Sequence, residues 1–347
     1  LLAGELFPDE VFTNSGLTGR QMQAKAKNML YDWFVTFRKE GFTEWNSSPY
    51  LPIDTLGFGS LYAFAQDPAM RELGREGMDF AYYLLAVHSQ QGIFASSSGR
   101  TYIKEQFGNW SNCPSGLSWI GYGCGVPGHA GKGITSYCLS DYEPPKEFAQ
   151  WFSIPRGKEM ICQTTQGNDG YVDLYTYKTA DYMMTSANDF HPGEPGHQEN
   201  PFQLTFNAVA QLWVTHPGER VLFGAARPSY WAGNGTLPKV NQYKAFAGLI
   251  YDIAPEHPVD FTHLYLPSME FDRCEVEGKW AFVQLGSAYA AVYCSNGMRM
   301  QDFGSNKDRE CIAEGRRCIW LVRAAQADEF AAFEDFKAAM RGAALDA

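Results

Sequence analysis

The segment from Asp189 to Asn200 concentrates groups that could do polar chemistry. It reads DFHPGEPGHQEN and holds two histidines and two glutamates among glycines and prolines. Runs rich in aromatic and β-branched residues precede it (171–182) and follow it (202–214), and such runs are typical of strands. Loops between rigid strands often carry function, so His197 is a candidate base and Gln198 a candidate substrate contact. An ordinary surface hairpin with solvated histidines fits the same pattern.

A second candidate segment, EWNSSPYLPID, lies between two predicted helices. Carboxylates, an amide, an indole and a phenol fall close together here, and such a set suits the binding and cleavage of a sugar. Helix capping by the same polar residues is the competing interpretation. The candidate site residues are Glu44, Trp45, Asn46, Tyr50 and Asp54.

A third candidate segment, SGRTYIKE, is expected at the end of a hairpin. Arg100 could clamp a carboxylate with bidentate geometry, Tyr102 could donate a proton and Glu105 could act as acid or base. Side chains alternate along a strand, so Glu105 would face away from Arg100 unless a turn intervenes. A simple Arg–Glu surface pair is equally consistent with this sequence.

A fourth candidate segment, RPSYWAGNG, sets adjacent aromatic rings before a turn. Tyr230 and Trp231 could stack on a sugar ring, with Asn234 as a further substrate contact. Packing of both rings under the loop is the alternative, and the sequence does not decide between them.

Composition and missing motifs exclude several other functions. The net charge of −11, without a Lys/Arg stripe, argues against a nucleic-acid partner but leaves room for an anionic sugar in a locally basic cleft. No HExxH pair, GxSxG elbow or phosphate-binding loop occurs, so we expect no metal and no cofactor. No apolar run is long enough to span a membrane.

Cysteine usage bears on the compartment. The eight cysteines form no CxxC pair, which disfavours structural zinc. Cys311 and Cys318 could close a small disulfide loop, which slightly favours an oxidising compartment. We therefore expect a secreted or periplasmic protein, with a cytoplasmic location not excluded.

The elements that position these segments change in type along the chain. Apolar residues at helical spacing predict helices over 22–37, 51–66 and 70–88, the last with Asp67 as N-cap, and over 328–340. Residues 92–150 predict long loops with an embedded short hairpin. From residue 159 onward, strand-like runs without helical crossovers predict an antiparallel β-sandwich. These runs are EMICQTT, YVDLYTY, LTFNAVAQLWV, VLFG, AFAGLIYDI, FTHLYLP, WAFVQLG, AYAAVYCS and CIWLVRA.

Several of these motifs together resemble a known family. GFTEWNSSPYLPIDTLG, GRTYIKE, DFHPGEPGHQ, PSYWAGNGTLP and FVQLGSAYAAVY resemble bacterial glycoside hydrolase family 154 and, more distantly, the heparinase II/III-like polysaccharide lyases. The resemblance implies an (α/α) toroid followed by an antiparallel β-sandwich that acts on uronic-acid glycans. About three helices precede the strands, so we expect a partial toroid, with further helices of the toroid outside this sequence. The expected α+β fold has a helical domain over 1–150 and a sandwich domain with a C-terminal helix over 151–347.

Three functional hypotheses follow. The first is a β-glucuronidase-type hydrolase with Glu44 and Glu105 as its carboxylates and Asp54 in reserve, in which Arg100 holds the uronate. Its rings for stacking on the sugar are Trp45, Tyr50, Tyr230 and Trp231.

The second hypothesis is β-elimination on uronic-acid polysaccharides. In it Arg100 and Asn46 neutralise the uronate carboxylate, His197 removes the C5 proton and Tyr102 protonates the leaving oxygen. The third is a noncatalytic glycan-binding module. All three hypotheses expect an acidic oligosaccharide or polysaccharide as the partner, and a homo-oligomer is compatible with each.

Overall fold

The computed structural model describes residues 1–108, 112–127, 132–167 and 172–343. Helices precede the long strands along the chain, so the predicted α+β class is confirmed. The α-helices are α1 (Leu2–Leu6), α2 (Gly19–Glu40), α3 (Leu51–Phe64), α4 (Pro68–Val87), α5 (Ile103–Gln106), α6 (Ser115–Tyr122), α7 (Ile134–Cys138) and α8 (Phe333–Gly342).

Helices α2, α3 and α4 confirm the three helices predicted near the start of the chain. Thr18 begins α2 with a capping box to Gln21, and Asp67 begins α4 by accepting from the Ala69 amide, with Pro68 as the first helical residue. The helices bury their apolar faces against each other. Their common core is rich in aromatic residues, among them Phe34, Phe37, Phe58 and Tyr82.

The connection after α4 contains more helix than the sequence predicts. The predicted short hairpin is present: the two-residue strands β3 (Ser89–Gln90) and β4 (Ile93–Phe94) pair with each other. The expected long loops are wrong in the described residues, because α5, α6, α7 and a 3₁₀ helix (Lys146–Trp151) occupy much of this stretch. These helices are only four to eight residues long, too short for apolar periodicity to reveal them.

The long strands form two antiparallel sheets. Short strands β1 (Val11–Phe12) and β2 (Leu17–Thr18) pair separately near the start of the chain. The others are β5 (Met160–Gln166), β6 (Val172–Lys178), β7 (Met183–Asn188), β8 (Phe202–Thr205), β9 (Gln211–Thr215), β10 (Lys239–Tyr243), β11 (Phe246–Asp252), β12 (Phe261–Tyr265), β13 (Arg273–Glu277), β14 (Trp280–Leu285), β15 (Ala288–Cys294), β16 (Arg299–Met300), β17 (Glu310–Glu314) and β18 (Arg317–Gln326).

The two sheets share one hydrophobic core. The eight-stranded sheet has the order β16-β17-β12-β9-β8-β7-β6-β5, and the six-stranded sheet has the order β10-β11-β18-β15-β14-β13. Alternate side chains of both sheets point into the same buried cluster, as the period of two along a strand requires. Its members include Leu204, Leu212, Val214 and Leu264 from the larger sheet and Leu249, Val292, Trp320 and Val322 from the smaller.

Some strand predictions were wrong in detail. The run VLFG (221–224) is not a strand, and the long run over 204–214 is two strands, β8 and β9, joined by a turn. Strands β7, β10, β13, β16 and β17 were not predicted; they are only two to six residues long, and none contains a continuous apolar run of four residues. The predicted terminal helix begins later, at Phe333, and packs Phe336 onto the six-stranded sheet near Phe282.

The cysteines are all free thiols. Cys311 and Cys318 lie on β17 and β18, which belong to different sheets, and no disulfide joins them, so the predicted small loop is wrong. Among the described residues, no helix is both long and apolar enough to cross a membrane.

Candidate functional site

Three of the candidate segments meet beside the eight-stranded sheet. Ser98 and Asn200 form an isolated antiparallel bridge, which ties the third segment to the end of the histidine-bearing loop. The Gly99 amide donates to the Trp45 carbonyl at 2.8 Å, which ties it to the helix–helix connection as well. Backbone hydrogen bonds therefore bring together residues far apart in the sequence.

The centre of this meeting point is a group that we name the Arg100 cluster: Glu44, Tyr50, Arg100 and Tyr102. Arg100 donates from Nη1 to Glu44 Oε1 at 2.8 Å and from Nη2 to the Tyr102 hydroxyl at 3.0 Å. Its guanidinium also lies 5.0 Å from the centre of the Tyr50 ring. The side chains of Arg100 and Glu44 are 23% and 36% exposed, so a ligand can reach both.

Local backbone structure places these side chains. Tyr50 immediately precedes α3 and Tyr102 immediately precedes α5, so both phenols project from helix starts. Helix α2 ends at Gly41, whose φ of 64° turns the chain toward Glu44. Hydroxyl groups of two serines donate to the Arg100 carbonyl, Ser47 at 3.2 Å and Ser98 at 2.9 Å.

The two phenols of the cluster are electrostatically unequal. Their hydroxyl oxygens lie 3.5 Å apart. The hydrogen bond with Tyr50 lowers the pKa of Tyr102 below its ordinary value, and Arg100 and the charge of Arg227 lower it further. The pKa of Tyr50 is raised, chiefly by the same hydrogen bond. Tyr102 is thus the more readily ionised phenol of the pair, and in its ionised form it would accept the hydrogen bond from the Tyr50 hydroxyl.

Asp54 supplies a carboxyl group with a different environment from that of Glu44. It lines an apolar groove of about 740 Å³ together with Trp33, Ile53 and Phe58. Burial raises the pKa of Asp54 to about 7, and the nearby charge of Glu44 adds to the rise. A large part of the Asp54 population therefore holds a proton near neutral pH.

Glu105 lies apart from the Arg100 cluster. It is on α5, not at the end of a hairpin, and its side chain is 2% exposed. Its Oε1 accepts from Lys104 Nζ at 3.0 Å and from Cys113 Sγ at 3.7 Å. Its carboxylate faces a small enclosed cavity that also contains Asn46 and Gln203. No hydrogen bond or ion pair among the described residues joins Glu105 to Glu44, and Glu44 does not line the cavity of Glu105, so the structure does not bring the expected pair together.

Trp45 and Asn46 are buried, at 2% exposure each. The Trp45 ring packs in a small apolar cluster with Val172 and Leu174, and its Nε1 side lies against Gly99 so closely that a Cβ there would clash at 2.6 Å. The Asn46 amide donates to the Ser97 carbonyl at 3.4 Å. The expected stacking of Trp45 on a sugar is corrected to a packing role, because its ring has no open face.

The aromatic pair of the fourth segment is also buried. Trp231 stacks on the His263 ring at 4.2 Å, with 11° between the planes. The Tyr230 hydroxyl donates to Glu310 Oε1 at 2.6 Å. Asn234 is fully buried, and its Oδ1 accepts from the His216 amide at 3.0 Å. The expected sugar contacts of these three residues are corrected to packing and hydrogen bonding under the loop.

A buried network of polar side chains holds this loop, and it was not predicted from the sequence. We name Glu310, His263, Tyr230, Thr215 and Asn306 the Glu310 network. His263 bonds Glu310 through Nδ1 at 2.6 Å and Thr215 through Nε2 at 2.7 Å, and Asn306 donates to Glu310 at 2.8 Å. Burial opposes ionisation of Glu310, but these hydrogen bonds outweigh it and lower its pKa. No sequence signal marks the network, because its members come from four separate segments.

The histidine-bearing loop contributes an amide to the site. His197 is exposed, and its backbone amide donates to Glu199. Gln198 is 3% exposed, donates to the Thr101 carbonyl at 3.0 Å and lines a cavity beside Tyr102. His191 lies 3.6 Å from Glu194, outside this cavity's lining.

Arg227 is a second missed residue. Its guanidinium lies 5.5 Å from the centre of the Tyr102 ring, on the wall of the same cavity. A basic residue next to two aromatic residues in a chain of net charge −11 is a usable signal. Comparisons of the chain with protein-family models, with curated proteins and with solved structures found no match.

Proposed function

We propose that this protein cleaves glycans that contain glucuronic acid, as a β-glucuronidase-type hydrolase whose carboxyl pair is Asp54 and Glu44. The proposal takes α2 to α4 as part of an (α/α) toroid and the two sheets as a β-sandwich. The observation that carries it is the partly exposed guanidinium of Arg100, which bonds Glu44, together with Asp54, whose pKa is raised to about 7 by burial and by the charge of Glu44. A carboxyl group that keeps its proton near neutral pH can act as the acid of such a reaction.

Arg100 is the group proposed to bind the uronate carboxylate. Its two terminal nitrogens bond Glu44 and Tyr102, but its buried Nε has no hydrogen-bond partner among the described residues. An unpaired guanidinium N–H in a partly buried position favours a carboxylate ligand, because charge-assisted hydrogen bonds are strong there. The faces of Tyr50 and Tyr102 provide flat apolar surface for the sugar ring.

Asp54 and Glu44 would divide the proton transfers. Protonated Asp54 would donate to the glycosidic oxygen as the bond to the sugar breaks. Ionised Glu44 would either attack the anomeric carbon or activate the water that does, depending on the distance between the two carboxyl groups when substrate is bound.

Elimination is a second candidate, favoured by the lowered pKa of Tyr102. In this reaction ionised Tyr102 would remove the C5 proton, and Arg100 would stabilise the charge that develops on the uronate carboxylate. The C4–O bond would then break as the C4–C5 double bond forms, and the neighbouring Tyr50 hydroxyl would protonate the leaving oxygen. The products separate the two reactions, since elimination leaves an unsaturated uronate that absorbs in the near ultraviolet and hydrolysis does not.

The test is turnover on matched substrates. Purified protein is assayed on glucuronides and on the corresponding glucosides, with product absorbance and reducing ends both followed. Arg100→Ala should lower turnover of glucuronides by about 100-fold and that of glucosides much less, because only the former carry the carboxylate. Arg299→Gln is the matched control, since the Arg299 side chain is exposed and donates a hydrogen bond to Gln301. Equal losses on both substrates would contradict the assigned role of Arg100, and binding without turnover would favour a noncatalytic module.

A further inference from the structure

Besides the apolar groove that contains Asp54, a second cavity lies next to the Arg100 cluster, and Tyr102 forms part of its wall. Its volume is about 490 Å³, within the range of roughly 300–1,000 Å³ that is usual for small-molecule sites. Its walls come from the start of α5 and the residues before it, from the histidine-bearing loop, and from the fourth segment with the three residues that precede it. The residues that matter for ligand binding are Tyr102, Lys104, Gln198 and Arg227.

The charged groups of this cavity are mainly cationic. Arg227 is exposed and has no carboxylate partner among the described residues; its one contact is with the Tyr102 ring. Lys104 is 77% exposed and pairs with Glu105, whose own carboxylate is buried behind it. Glu219 is the nearby acidic residue, and it accepts a hydrogen bond from the Ala226 amide at 3.0 Å. An anion in the cavity would therefore meet a guanidinium that pairs with no carboxylate among the described residues, with the Glu219 carboxylate, held beside Gly224 and Ala226, as a nearby negative charge.

The cavity also offers a neutral hydrogen-bond acceptor. Gln198 is 3% exposed, and its Nε2 is held by the Thr101 carbonyl, which leaves Oε1 without a partner among the described residues. Leaving a buried amide oxygen unpaired is costly, so a ligand hydroxyl that donates to it would bind favourably. A cation together with a fixed acceptor suits a ligand that carries both a negative charge and hydroxyl groups.

We propose that this cavity binds a second anionic sugar, so that the substrate carries acidic groups on two adjacent residues. The proposal rests on the proposed function for the first sugar. Tyr102 forms the shared wall, since the guanidiniums of Arg100 and Arg227 lie 5.7 and 5.5 Å from its ring centre. The acidic group would be a carboxylate or a sulfate, because a guanidinium binds both with two parallel hydrogen bonds.

The experiment is calorimetric binding with uncleavable, sulfur-linked disaccharides. Three ligands share one glucuronate and differ in the second sugar, which is a glucuronate, a sulfated hexose or a neutral hexose. We expect the protein to bind at least one of the two doubly anionic ligands about tenfold more tightly than the neutral one, the size of one added charge-assisted contact. The ligand that shows the preference identifies the acidic group.

Variants separate this site from the first one. Arg227→Gln should remove the preference for the doubly anionic ligand and leave the affinity for the neutral-ended ligand unchanged. Arg227→Lys should keep part of the preference because it keeps the charge, and Arg299→Gln should keep all of it. Arg100→Ala should weaken every ligand.

Two outcomes would overturn the inference, and they are distinguishable. If the unmodified protein binds all three ligands equally, or if Arg227→Gln weakens them all equally, the second subsite is wrong while the proposed function stands. If the unmodified protein binds none of them, the uronate specificity fails and the inference fails with it.

Discussion

The Arg100 cluster and the Glu310 network use similar residue types in different surroundings. In the Arg100 cluster a guanidinium bonds both a carboxylate and a tyrosine hydroxyl, and in the Glu310 network a carboxylate bonds both a histidine and a tyrosine hydroxyl, all at 2.6–3.0 Å. The Glu310 network is inaccessible, with the His263 and Glu310 side chains 0% and 1% exposed. The Arg100 cluster is partly exposed, with the Arg100 and Glu44 side chains 23% and 36% exposed, and its Tyr102 lines a cavity of about 490 Å³.

This difference in solvent access indicates a difference in role. A buried ion pair is expensive to break, because removing one partner leaves an unpaired polar group away from water. An exposed pair contributes little to stability, but its groups can reach a substrate. We therefore expect substitutions in the Glu310 network to change folding and substitutions around Arg100 to change activity.

The largest effect expected is on turnover. Asp54→Asn or Glu44→Gln should lower the turnover number on a glucuronide by about 10²- to 10⁴-fold, since an amide neither donates nor accepts the required proton. Thermal unfolding should stay near that of the unmodified protein for Glu44→Gln, and for Asp54→Asn at about pH 4 and below, where Asp54 is protonated. Asp252→Asn is the control, because Asp252 lies on the six-stranded sheet and pairs with Arg317. Near-normal rates in both variants would exclude the carboxyl pair and leave elimination by Tyr102 as the better mechanism.

The second effect is on stability. Glu310→Ala should lower the free energy of unfolding by about 3–5 kcal/mol, because His263 and Tyr230 would lose a buried partner. Glu44→Ala should lower it by only about 0–1 kcal/mol, the usual range for an exposed pair. Urea unfolding monitored by tryptophan fluorescence measures both. If Glu44→Ala proved the more destabilising change, the contrast between the two clusters would be wrong.

The two clusters differ in how well they could be predicted from the sequence. The members of the Arg100 cluster were all predicted as site residues, because each segment combines charged, amide and aromatic groups in a short stretch. The Glu310 network was not, because strands β9, β12 and β17 and the loop of the fourth segment meet only through sheet pairing. Register over long sequence separations cannot be inferred from local alternation.

In the fold, too, the sequence predicts local elements but not the tertiary contacts between them. Helices α2 to α4 were predictable from apolar spacing and capping residues, and strands β14 and β15 from continuous apolar runs. The burial of Trp45, Tyr230 and Trp231 was not, since an aromatic ring beside a turn can stack on a ligand or pack under the loop. Only tertiary contacts decide between the two.

The third effect is a dependence of stability on pH near Asp54. Its pKa is 3.8 ordinarily and about 7 in the folded protein, so between these values the folded state holds more protons than the unfolded chain. The contribution of Asp54 to the free energy of unfolding is therefore fully present below about pH 4 and is lost as the pH rises to about 7. The difference in unfolding free energy between the unmodified protein and Asp54→Asn, measured by urea titration at several pH values, should follow this course. A difference that is constant with pH would show that Asp54 is not buried in its neutral form.

The smallest effect is on the acidity of one phenol. Tyr50→Phe removes the hydrogen bond that lowers the pKa of Tyr102 most, so that pKa should rise toward its ordinary value. Arg100 and Arg227 remain in this variant, so the return should be incomplete. Titration of ¹³Cζ-labelled tyrosines by NMR measures the change, with the Tyr102 resonance assigned from Tyr102→Phe. Tyr243→Phe is the control, because Tyr243 is 71% exposed on β10 and lies outside the Arg100 cluster. A Tyr102 pKa that is the same with and without Tyr50 would mean that the two arginines alone set its acidity.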